Sequence, residues 1–421
     1  MSATASALTP RTGPLRAATH QIDPPDDVLD FLGDDGVAWL HEGASFATSG
    51  IAARVPADEA VEFLAAIAHD ADPTLSRLGL ADTGPIAVGV LAFDPSTSRD
   101  SGRATTELVV PARVTGRTAD GRGWVTEIDL GQRLASSAQG SLHRRDSAPP
   151  PLPQPSEFHV RRCSSRTHWQ AAVTEALRAI HDGELTKVVL ARAVAIDANE
   201  PFDRRAVLRR LRDQQPGCFV YAAGTMIGAS PELLVARSGS TVVSRPLAGT
   251  AVLGDDAVEA LRHSTKDMRE HQLVVDAIRE ALIPWCTHLD APSVPEIDRF
   301  ADVAHLATPI YGTLRDPVPD VLTLVRALHP TPAVGGIPTA AALGTIAALE
   351  PESRGSYAGP VGWVDARGDG EWAVALRGAH IVGNHALLHA GAGIVAGSDP
   401  DAEWAETEAK LVPMLTALVR P

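Results

Sequence analysis

Lysine is scarce in this chain, and each of its three lysines lies in a motif with other reactive groups. The 421 residues contain 37 lysines and arginines together, of which only Lys187, Lys266 and Lys410 are lysines. Arginine stays protonated inside proteins, whereas a lysine can lose its proton when it is desolvated. Because arginine supplies nearly every other positive charge, the few lysines are candidates for a catalytic base.

Acidic side chains follow helical spacing close to two of these lysines. Glu403, Glu406 and Lys410 are spaced i, i+3 and i+7, so they share one helix face. Asp267 and Glu270 are also one helical turn apart. Carboxylates with this spacing suit a hard divalent cation with oxygen ligands, typically Mg²⁺. A solvated charged face is the alternative interpretation of each helix.

A second lysine–acid combination suits proton transfer. Lys187 begins an apolar, β-branched run, where desolvation would favour its neutral amine. Glu232 lies at the edge of the apolar stretch Ser-Pro-Glu-Leu-Leu, where burial would raise the pKa of its carboxyl. A base and an acid with oppositely shifted pKa values could serve two ends of one substrate. The sequence does not show that the two side chains meet.

Arg377 and a glycine pair are candidates for anion binding. Ala375, Arg377 and Ala379 alternate on one face of a predicted strand, which leaves space around the guanidinium. Such an arginine could hold a carboxylate through two hydrogen bonds, although a structural ion pair is equally compatible with the pattern. Gly391 and Gly393 expose backbone amides shortly before a helix, where an anion can bind.

Six predicted elements must position these groups. Helical spacing predicts helices over 169–181, 265–282 and 400–418, the last capped by Ser398 or Asp399. An apolar, β-branched run predicts a buried strand over 187–196. Strands over 372–382 and 385–394 are joined by Gly383-Asn384, a two-residue hairpin signal.

Composition excludes several classes of partner. The net charge of -15 argues against general attraction to nucleic acid or to an anionic membrane surface. No apolar run is long enough to span a bilayer. Three widely separated cysteines without a CxxC pair predict a reducing, cytoplasmic location.

Proline content divides the chain into two halves. Residues 1–26 are expected to be disordered, and residues 27–144 to form the N-terminal part of the fold. A proline-rich connector over 145–157 can form neither a helix nor a central strand. Residues 158–421 carry nearly all of the candidate chemistry.

The motifs, in this order, resemble those of the chorismate-utilising enzymes, the family of anthranilate, aminodeoxychorismate, isochorismate and salicylate synthases. The resemblance covers about residues 160–420, whereas the N-terminal stretch matches only loosely. The matching segments are Lys187-Val-Val-Leu-Ala-Arg192, Ser230-Pro-Glu-Leu-Leu234, Pro246-Leu-Ala-Gly-Thr250, Lys266-Asp-Met-Arg-Glu-His271, Leu328-His-Pro-Thr-Pro-Ala-Val-Gly-Gly336, Ser353-Arg-Gly-Ser-Tyr-Ala-Gly359, Gly391-Ala-Gly-Ile394 and the helix from Glu403 to Lys410.

The resemblance implies an α+β fold, with a four-layer α/β/β/α core of two large antiparallel sheets flanked by helices. Within the family the chain is most similar to isochorismate synthases, which are isomerases. Lys187 matches members that use water as the nucleophile, where ammonia-using members typically have glutamine. Ala248 differs from the lysine of aminodeoxychorismate synthases, and Thr339 differs from the Pro-Lys ending typical of anthranilate and salicylate synthases.

The resemblance also implies a role for each matched residue. Lys187 would activate water for attack at C2 of chorismate, and Glu232 would protonate the departing C4 hydroxyl. Mg²⁺ would bind the ring carboxylate and would be held by Glu270, Glu403 and Glu406, with Asp267 close by. The enolpyruvyl carboxylate would be held by Arg377, Tyr357 and the backbone of Gly391, Ala392 and Gly393, in a pocket to which Thr250, His305 and Lys410 also contribute.

Two other functions remain open at this point. A salicylate synthase would add pyruvate elimination in the same pocket, and a catalytically silent chorismate-binding subunit would lack turnover. No glutaminase subunit is expected, and a monomer or weak dimer is anticipated. The product of an isochorismate synthase feeds siderophore, menaquinone or another aromatic biosynthesis, and the sequence does not choose among them.

Overall fold

The computed structural model describes residues 15–42, 44–71, 83–94, 106–129, 153–300 and 303–419. It is an α+β fold in which large antiparallel sheets are flanked by helices, which confirms the predicted fold class. Within these described ranges, twenty strands are linked by pairing into one continuous network, and three more form a small separate sheet. Among the described residues, no helix combines the length and apolar character needed to cross a bilayer.

The strands of the described part of the chain fall into an N-terminal group of seven and a C-terminal group of sixteen. The first group is β1 Arg16–Ile22, β2 Ala38–Leu40, β3 Ala44–Pro56, β4 Ala68–Ala71, β5 Ile86–Val90, β6 Glu107–Thr118 and β7 Gly123–Asp129. The second group is β8 Phe158–Arg162, β9 Lys187–Ala198, β10 Phe219–Ala223, β11 Met226–Ser230, β12 Leu233–Ser238, β13 Thr241–Arg245, β14 Leu247–Val252, β15 Cys286–Asp290, β16 Glu296–Arg299, β17 Val303–Ala307, β18 Ile310–Leu314, β19 Gly336–Ile337, β20 Pro360–Asp365, β21 Gly370–Val374, β22 Gly378–Val382 and β23 His385–Ile394.

The helices lie mostly in the C-terminal half. They are α1 Ala60–Ala65, α2 Arg166–His181, α3 Arg204–Gln214, α4 Asp255–His263, α5 Thr265–Leu282, α6 Val321–Leu328, α7 Thr339–Leu349 and α8 Pro400–Val419, with short 3₁₀ helices at Val28–Phe31 and Ile283–Trp285.

The two helices that carry the candidate metal ligands each begin at a side-chain cap. Ser264 accepts a hydrogen bond from the backbone N–H of Asp267 and starts α5. Asp399 accepts from the backbone N–H of Ala402 at 2.8 Å and starts α8, as the sequence allowed. Each cap satisfies an otherwise unpaired N–H of the first turn and fixes where the helix begins. The position at which each helix begins therefore helps to determine which face of the helix carries the acidic residues.

The pair β9–β23 forms the floor of the candidate site. Their antiparallel register runs from His385 opposite Asp197 to Ile394 opposite Val188. On its other side β9 pairs with β8 at its C-terminal end, and with the two residues of β19 at Lys187 and Val188. Strand β9 is therefore buried along nearly its whole length, as its continuous apolar run predicted.

The predicted disorder of residues 1–26 is wrong over Arg16–Ile22. These residues form β1, which pairs antiparallel with β7 and parallel with β4. The pairing buries Ala17 and Thr19 completely, so pairing overrides a composition poor in large apolar residues. Residues 1–14 and residues 145–152 of the predicted connector lie outside the described residues. Residues 153–157 form neither helix nor strand.

A buried ion pair covers the edge of β9 that β19 leaves unpaired. Arg354 Nη2 donates to Val189 O at 2.7 Å, and Glu350 Oε1 accepts from the backbone N–H of Ala191 at 2.7 Å. Arg354 and Glu350 also bind each other, and both side chains are at most 6 % exposed. Arg354 Nη1 reaches Val334 O at 2.8 Å. The pair therefore takes the place of a neighbouring strand beside the residues that follow Lys187.

Replacement of Arg354 by methionine tests this contribution. It would leave Glu350 and two backbone carbonyls buried without their donor, so we expect a loss of about 3–5 kcal/mol in the free energy of unfolding. The matched control is Arg162→Met, because the Arg162 side chain is 61 % exposed in its pair with Glu408. That change should cost no more than about 1 kcal/mol in urea denaturation. Equal losses in the two variants would contradict the role assigned to Arg354.

Candidate active site

One pocket brings together twelve of the thirteen residues that the sequence singled out. It is bounded by the β9–β23 pair, by α5 and α8, and by segments around β14, β17 and β20. The predicted residues that line it are Lys187, Glu232, Thr250, Glu270, His305, Tyr357, Arg377, Gly391, Gly393, Glu403, Glu406 and Lys410. Asp267 lines it as well.

The thirteenth residue, Ala392, lies on the other face of β23. Gly391 and Gly393 line the pocket, and successive residues of a strand point to opposite faces. The Ala392 side chain is therefore fully buried in the hydrophobic core and can contribute only through its backbone.

Every lysine of the chain is paired with one of the three predicted metal-binding glutamates. Lys187 Nζ lies 2.8 Å from Glu270 Oε1, Lys266 Nζ lies 3.2 Å from Glu403 Oε1, and Lys410 Nζ lies 2.6 Å from Glu406 Oε1. Three negative charges thus face three positive charges within one pocket. The environments differ, because the Lys187 side chain is 1 % exposed and that of Lys266 is 44 % exposed.

The carboxylates respond differently to this arrangement. Burial alone would raise the pKa of Glu270, but Lys187, Lys410 and Lys266 outweigh it and lower the pKa below its ordinary value. The pKa of Glu403 is raised by burial and by the neighbouring charge of Glu406, against the opposing effect of Lys266. The charge of Lys266 therefore does not offset the burial of Glu403 and its repulsion from Glu406.

Glu232 is the buried acid that the sequence predicted. Its side chain is almost inaccessible, and burial raises its pKa to about 8 even though Lys187 and Lys410 favour the carboxylate. At neutral pH the group is mainly a protonated acid, the form that can donate a proton. Lys187 is buried as expected, but it contacts Glu270 and is not isolated in apolar surroundings. The strand pattern could not indicate that contact, because Glu270 comes from a distant helix.

Arg377 lies in the pocket for a reason other than strand alternation. The predicted strand over 372–382 is interrupted between β21 and β22, and Arg377 adopts a left-handed backbone with φ 47°. The alternation of Ala375, Arg377 and Ala379 on one face is therefore wrong. Arg377 instead reaches the pocket from a turn, stabilised by hydrogen bonds of its neighbours, such as the Ala375 N–H to Gly359 O at 2.7 Å.

His305 orients the guanidinium of Arg377. Its Nδ1 lies 3.2 Å from Gly249 O, which requires a proton on that nitrogen, so Nε2 accepts from Arg377 Nη2 at 2.8 Å. Burial, together with the charges of Arg377 and Lys410, lowers the pKa of His305 well below its ordinary value. A neutral imidazole with this tautomer fixes Arg377 without adding a second positive charge. Thr250 Oγ1 lies 3.1 Å from the same Nδ1.

The two glycines of β23 allow charged side chains to approach the strand backbone. A Cβ atom on Gly393 would lie 2.4 Å from Glu270 Oε1, and one on Gly391 would lie 3.3 Å from the Tyr357 hydroxyl. Lys410 Nζ donates to Gly391 O at 3.0 Å. Any larger residue at position 393 would displace the carboxylate of Glu270.

The oxygen donors of the pocket suit a hard divalent cation, although the carboxylates do not already lie close enough together to coordinate one ion. Among the described residues, no three histidine, cysteine, aspartate or glutamate side chains are grouped closely enough to hold a metal ion. Glu270, Glu403 and Glu406 nevertheless line the same pocket with oxygen donors only. Each is held by a lysine whose charge a cation could replace.

Other residues that line the pocket were given no role in the predicted site. Val334 and Leu376 contribute apolar surface, and His389 stacks on Tyr357 with ring centroids 5.1 Å apart. Lys266, a candidate base by its residue type, also lines the pocket. The position of His389 could have been found, because it is two residues from Gly391 on the same strand face.

The chain matches the family model described as chorismate binding enzyme over residues 43–419. It is 35% identical over 362 residues to isochorismate synthase MenF of Bacillus subtilis, a match that covers 81% of this chain and 76% of that protein. It is 40% identical over 278 residues to isochorismate synthase DhbC of the same organism, covering 62% of this chain and 70% of the relative.

Solved structures give the same relationship. The menaquinone-specific isochorismate synthase MenF from Escherichia coli superposes with a TM-score of 0.78 at 27% sequence identity, over 98% of this chain and 96% of that chain. Anthranilate synthase component I from Streptococcus pneumoniae has a TM-score of 0.66 over 97% of this chain and 94% of its own, and its 21% identity supports similarity of fold.

The protonation of Glu232 predicts a specific dependence of stability on pH. The folded state binds the proton up to a pKa of about 8, whereas the ordinary value is 4.5. The resulting stabilisation is complete below pH 4.5 and is lost as the pH rises to about 8. Glu232→Gln keeps a neutral side chain at every pH and so does not lose this stabilisation. As the pH rises from 4.5 to about 8, the free energy of unfolding of the variant should therefore increase by roughly 4 kcal/mol relative to that of wild type. Parallel curves in chemical denaturation would contradict a protonated Glu232.

Proposed function

The chain belongs to the chorismate-binding enzyme family, and on that premise we propose that it is an isochorismate synthase, a Mg²⁺-dependent isomerase of chorismate. The observation that carries this proposal is the presence in one pocket of a buried lysine, Lys187, and a buried acid, Glu232, whose raised pKa keeps it protonated. The relatives named as isochorismate synthases support the same substrate and product.

Lys187 and Glu232 would divide the proton transfers between them. Lys187 would act as the base in the state in which Glu270 binds the metal ion instead of the Lys187 ammonium. A water molecule then adds to C2 of the ring and gives its proton to the Lys187 amine. The ring double bonds shift, the C4–O bond breaks, and the departing hydroxyl leaves as water with the proton of Glu232. One water is consumed and one released, so the reaction is an isomerisation. Afterwards Lys187 is protonated and Glu232 ionised, and transfer of one proton between them restores the starting state.

The three glutamates would hold the metal ion. Glu270 on α5 and Glu403 and Glu406 on α8 supply oxygen donors from two walls of the pocket, and Asp267 lies beside them. When bound, Mg²⁺ supplies positive charge for the ring carboxylate of chorismate. Gly393 leaves room for the Glu270 carboxylate at this place, because a Cβ atom on residue 393 would clash with Glu270 Oε1.

The second carboxylate of the substrate would be held at the opposite end of the pocket. Arg377, oriented by neutral His305, suits a carboxylate because a guanidinium donates two parallel hydrogen bonds. The Tyr357 hydroxyl and the backbone of residues 391–393 would complete this end, with Thr250 lining the pocket nearby. Lys410 lies between the glutamates and Gly391 and adds positive charge for the dianion.

The cysteines bear on the biological setting of the protein. The three cysteines are all free thiols, which agrees with a reducing cytoplasm. We propose that the protein works without a glutaminase subunit, as a monomer or weak dimer, and that its product enters menaquinone or siderophore biosynthesis.

Incubation of the purified protein with chorismate, with and without Mg²⁺, tests the proposal. We expect isochorismate, separated by chromatography, to form only when Mg²⁺ is present. Salicylate with pyruvate would instead identify a salicylate synthase. Bound chorismate without any product would identify a silent subunit, and either result would overturn the proposed reaction.

Lys187→Gln provides the matched control for that assay. Glutamine fills similar space but cannot accept a proton, so isochorismate formation should fall by about 10²–10⁴-fold. Chorismate binding, measured by equilibrium dialysis, should be largely retained. Turnover close to that of wild type would refute the assignment of Lys187 as the base.

A further inference from the structure

We propose that Lys266 is a displaceable counter-ion at the cation site, which pairs with Glu403 until a divalent cation takes its place. The inference rests on the proposed function, because it takes Glu403 as a ligand of the metal ion. It assigns to Lys266 a role different from those of the other two lysines: it sets how tightly the cation binds.

The position of Lys266 distinguishes it from the other lysines. It lies in the first turn of α5 and crosses to Glu403 on α8, so its ion pair joins the two helices that carry the carboxylates. Its side chain is 44 % exposed, whereas that of Glu403 is only 4 % exposed. Lys266 therefore brings its charge from the solvent side to a buried carboxylate.

The other two lysines are held on more than one side. Lys187 is fully buried against Glu270, with its Cε 3.2 Å from the place that a Cβ on Gly393 would occupy. Lys410 binds both Glu406 and Gly391 O. Lys266 has one hydrogen-bond partner, Glu403, among the contacts described, and its long side chain can turn towards water. It is thus the lysine that can leave most readily.

The charges in the pocket explain why a lysine must leave. Three lysines balance three glutamates, so a divalent cation added to the intact set would leave two uncompensated positive charges near Glu403. Coulombic repulsion between an ammonium and a divalent cation a few ångströms apart is strong in a partly desolvated site. Departure of Lys266 relieves this repulsion and frees the Glu403 oxygens for the cation.

Cation binding in the absence of chorismate tests the proposal directly. Mn²⁺, a paramagnetic substitute for Mg²⁺, can be titrated into the protein and the unbound ion measured by electron paramagnetic resonance. We expect Lys266→Met to lower the Kd for Mn²⁺ by about three- to tenfold, because no ion pair has to be broken. An unchanged or higher Kd would overturn the proposal.

Arg279→Met is the matched control for this titration. Arg279 is an exposed cation in the last turn of the same helix, about 20 Å along the axis from Lys266. At that distance charges are screened at physiological ionic strength, so the Kd should equal that of wild type. A decrease as large as that of Lys266→Met would indicate a general effect of net charge and overturn the specific role.

Amine labelling gives a second readout that does not depend on affinity. The chain has three lysines, and Lys266 is the most exposed of them. Saturating Mg²⁺ should increase acylation of Lys266, measured by mass spectrometry, to the level found in Glu403→Gln without metal. Labelling that is unchanged or reduced by Mg²⁺ would overturn the proposal.

These measurements separate the proposal from the function on which it rests. A wild-type protein that binds Mn²⁺ with the same Kd as Lys266→Met overturns the role of Lys266 alone. If neither protein binds the cation, both the metal assignment and the role of Lys266 fail. The identity of the reaction product is decided independently by the chorismate assay.

Discussion

Neutralisation of three carboxylates by three lysines is the interaction on which the candidate site depends. An unpaired buried carboxylate costs several kcal/mol, so glutamates can be placed in a closed pocket only with cations beside them. The pair Lys187–Glu270 connects β9 to α5, and Lys266–Glu403 connects α5 to α8. Lys410 connects α8 to β23 through Gly391 O. The charges that the chemistry requires therefore also fix the relative positions of four elements.

Arginine and lysine have separate tasks in this fold. Arg354 forms hydrogen bonds with Glu350 and with two backbone carbonyls, which uses the fixed fork of guanidinium donors to support the edge of β9. Arg377 uses the same geometry to present a charge oriented by His305. Lysine, a flexible point charge that can be deprotonated, occurs where a proton or a metal ion must be exchanged. The scarcity of lysine elsewhere in the chain is consistent with this division.

The sequence predicted those parts of the site that depend on local spacing. The helices over 265–282 and 400–418, the buried strand from Lys187 and the Gly383-Asn384 hairpin follow from periodicity, caps and turn residues, and the structure contains each of them. The raised pKa of Glu232 followed from the apolar residues around it. The predicted roles of the site residues remain predictions, although most of these residues share one pocket.

Features that depend on distant contacts could not be predicted in this way. The left-handed turn at Arg377 interrupts an otherwise regular alternation, and β1 is stabilised by pairing with β7 rather than by its own composition. The contact between Lys187 and Glu270 joins residues more than eighty positions apart in the chain. No local pattern encodes such a pair, which is why the sequence suggested an isolated lysine.

In the proposed reaction Lys187 activates a water molecule for addition at C2 while Glu232 protonates the oxygen that leaves C4. Turnover of chorismate in water enriched in ¹⁸O, followed by mass spectrometry of isochorismate after a single turnover, tests whether the new hydroxyl comes from water. We expect one ¹⁸O atom in the product, located in the C2 hydroxyl. Isochorismate without the label would show that the hydroxyl moves within the substrate, and would contradict the roles assigned to both residues.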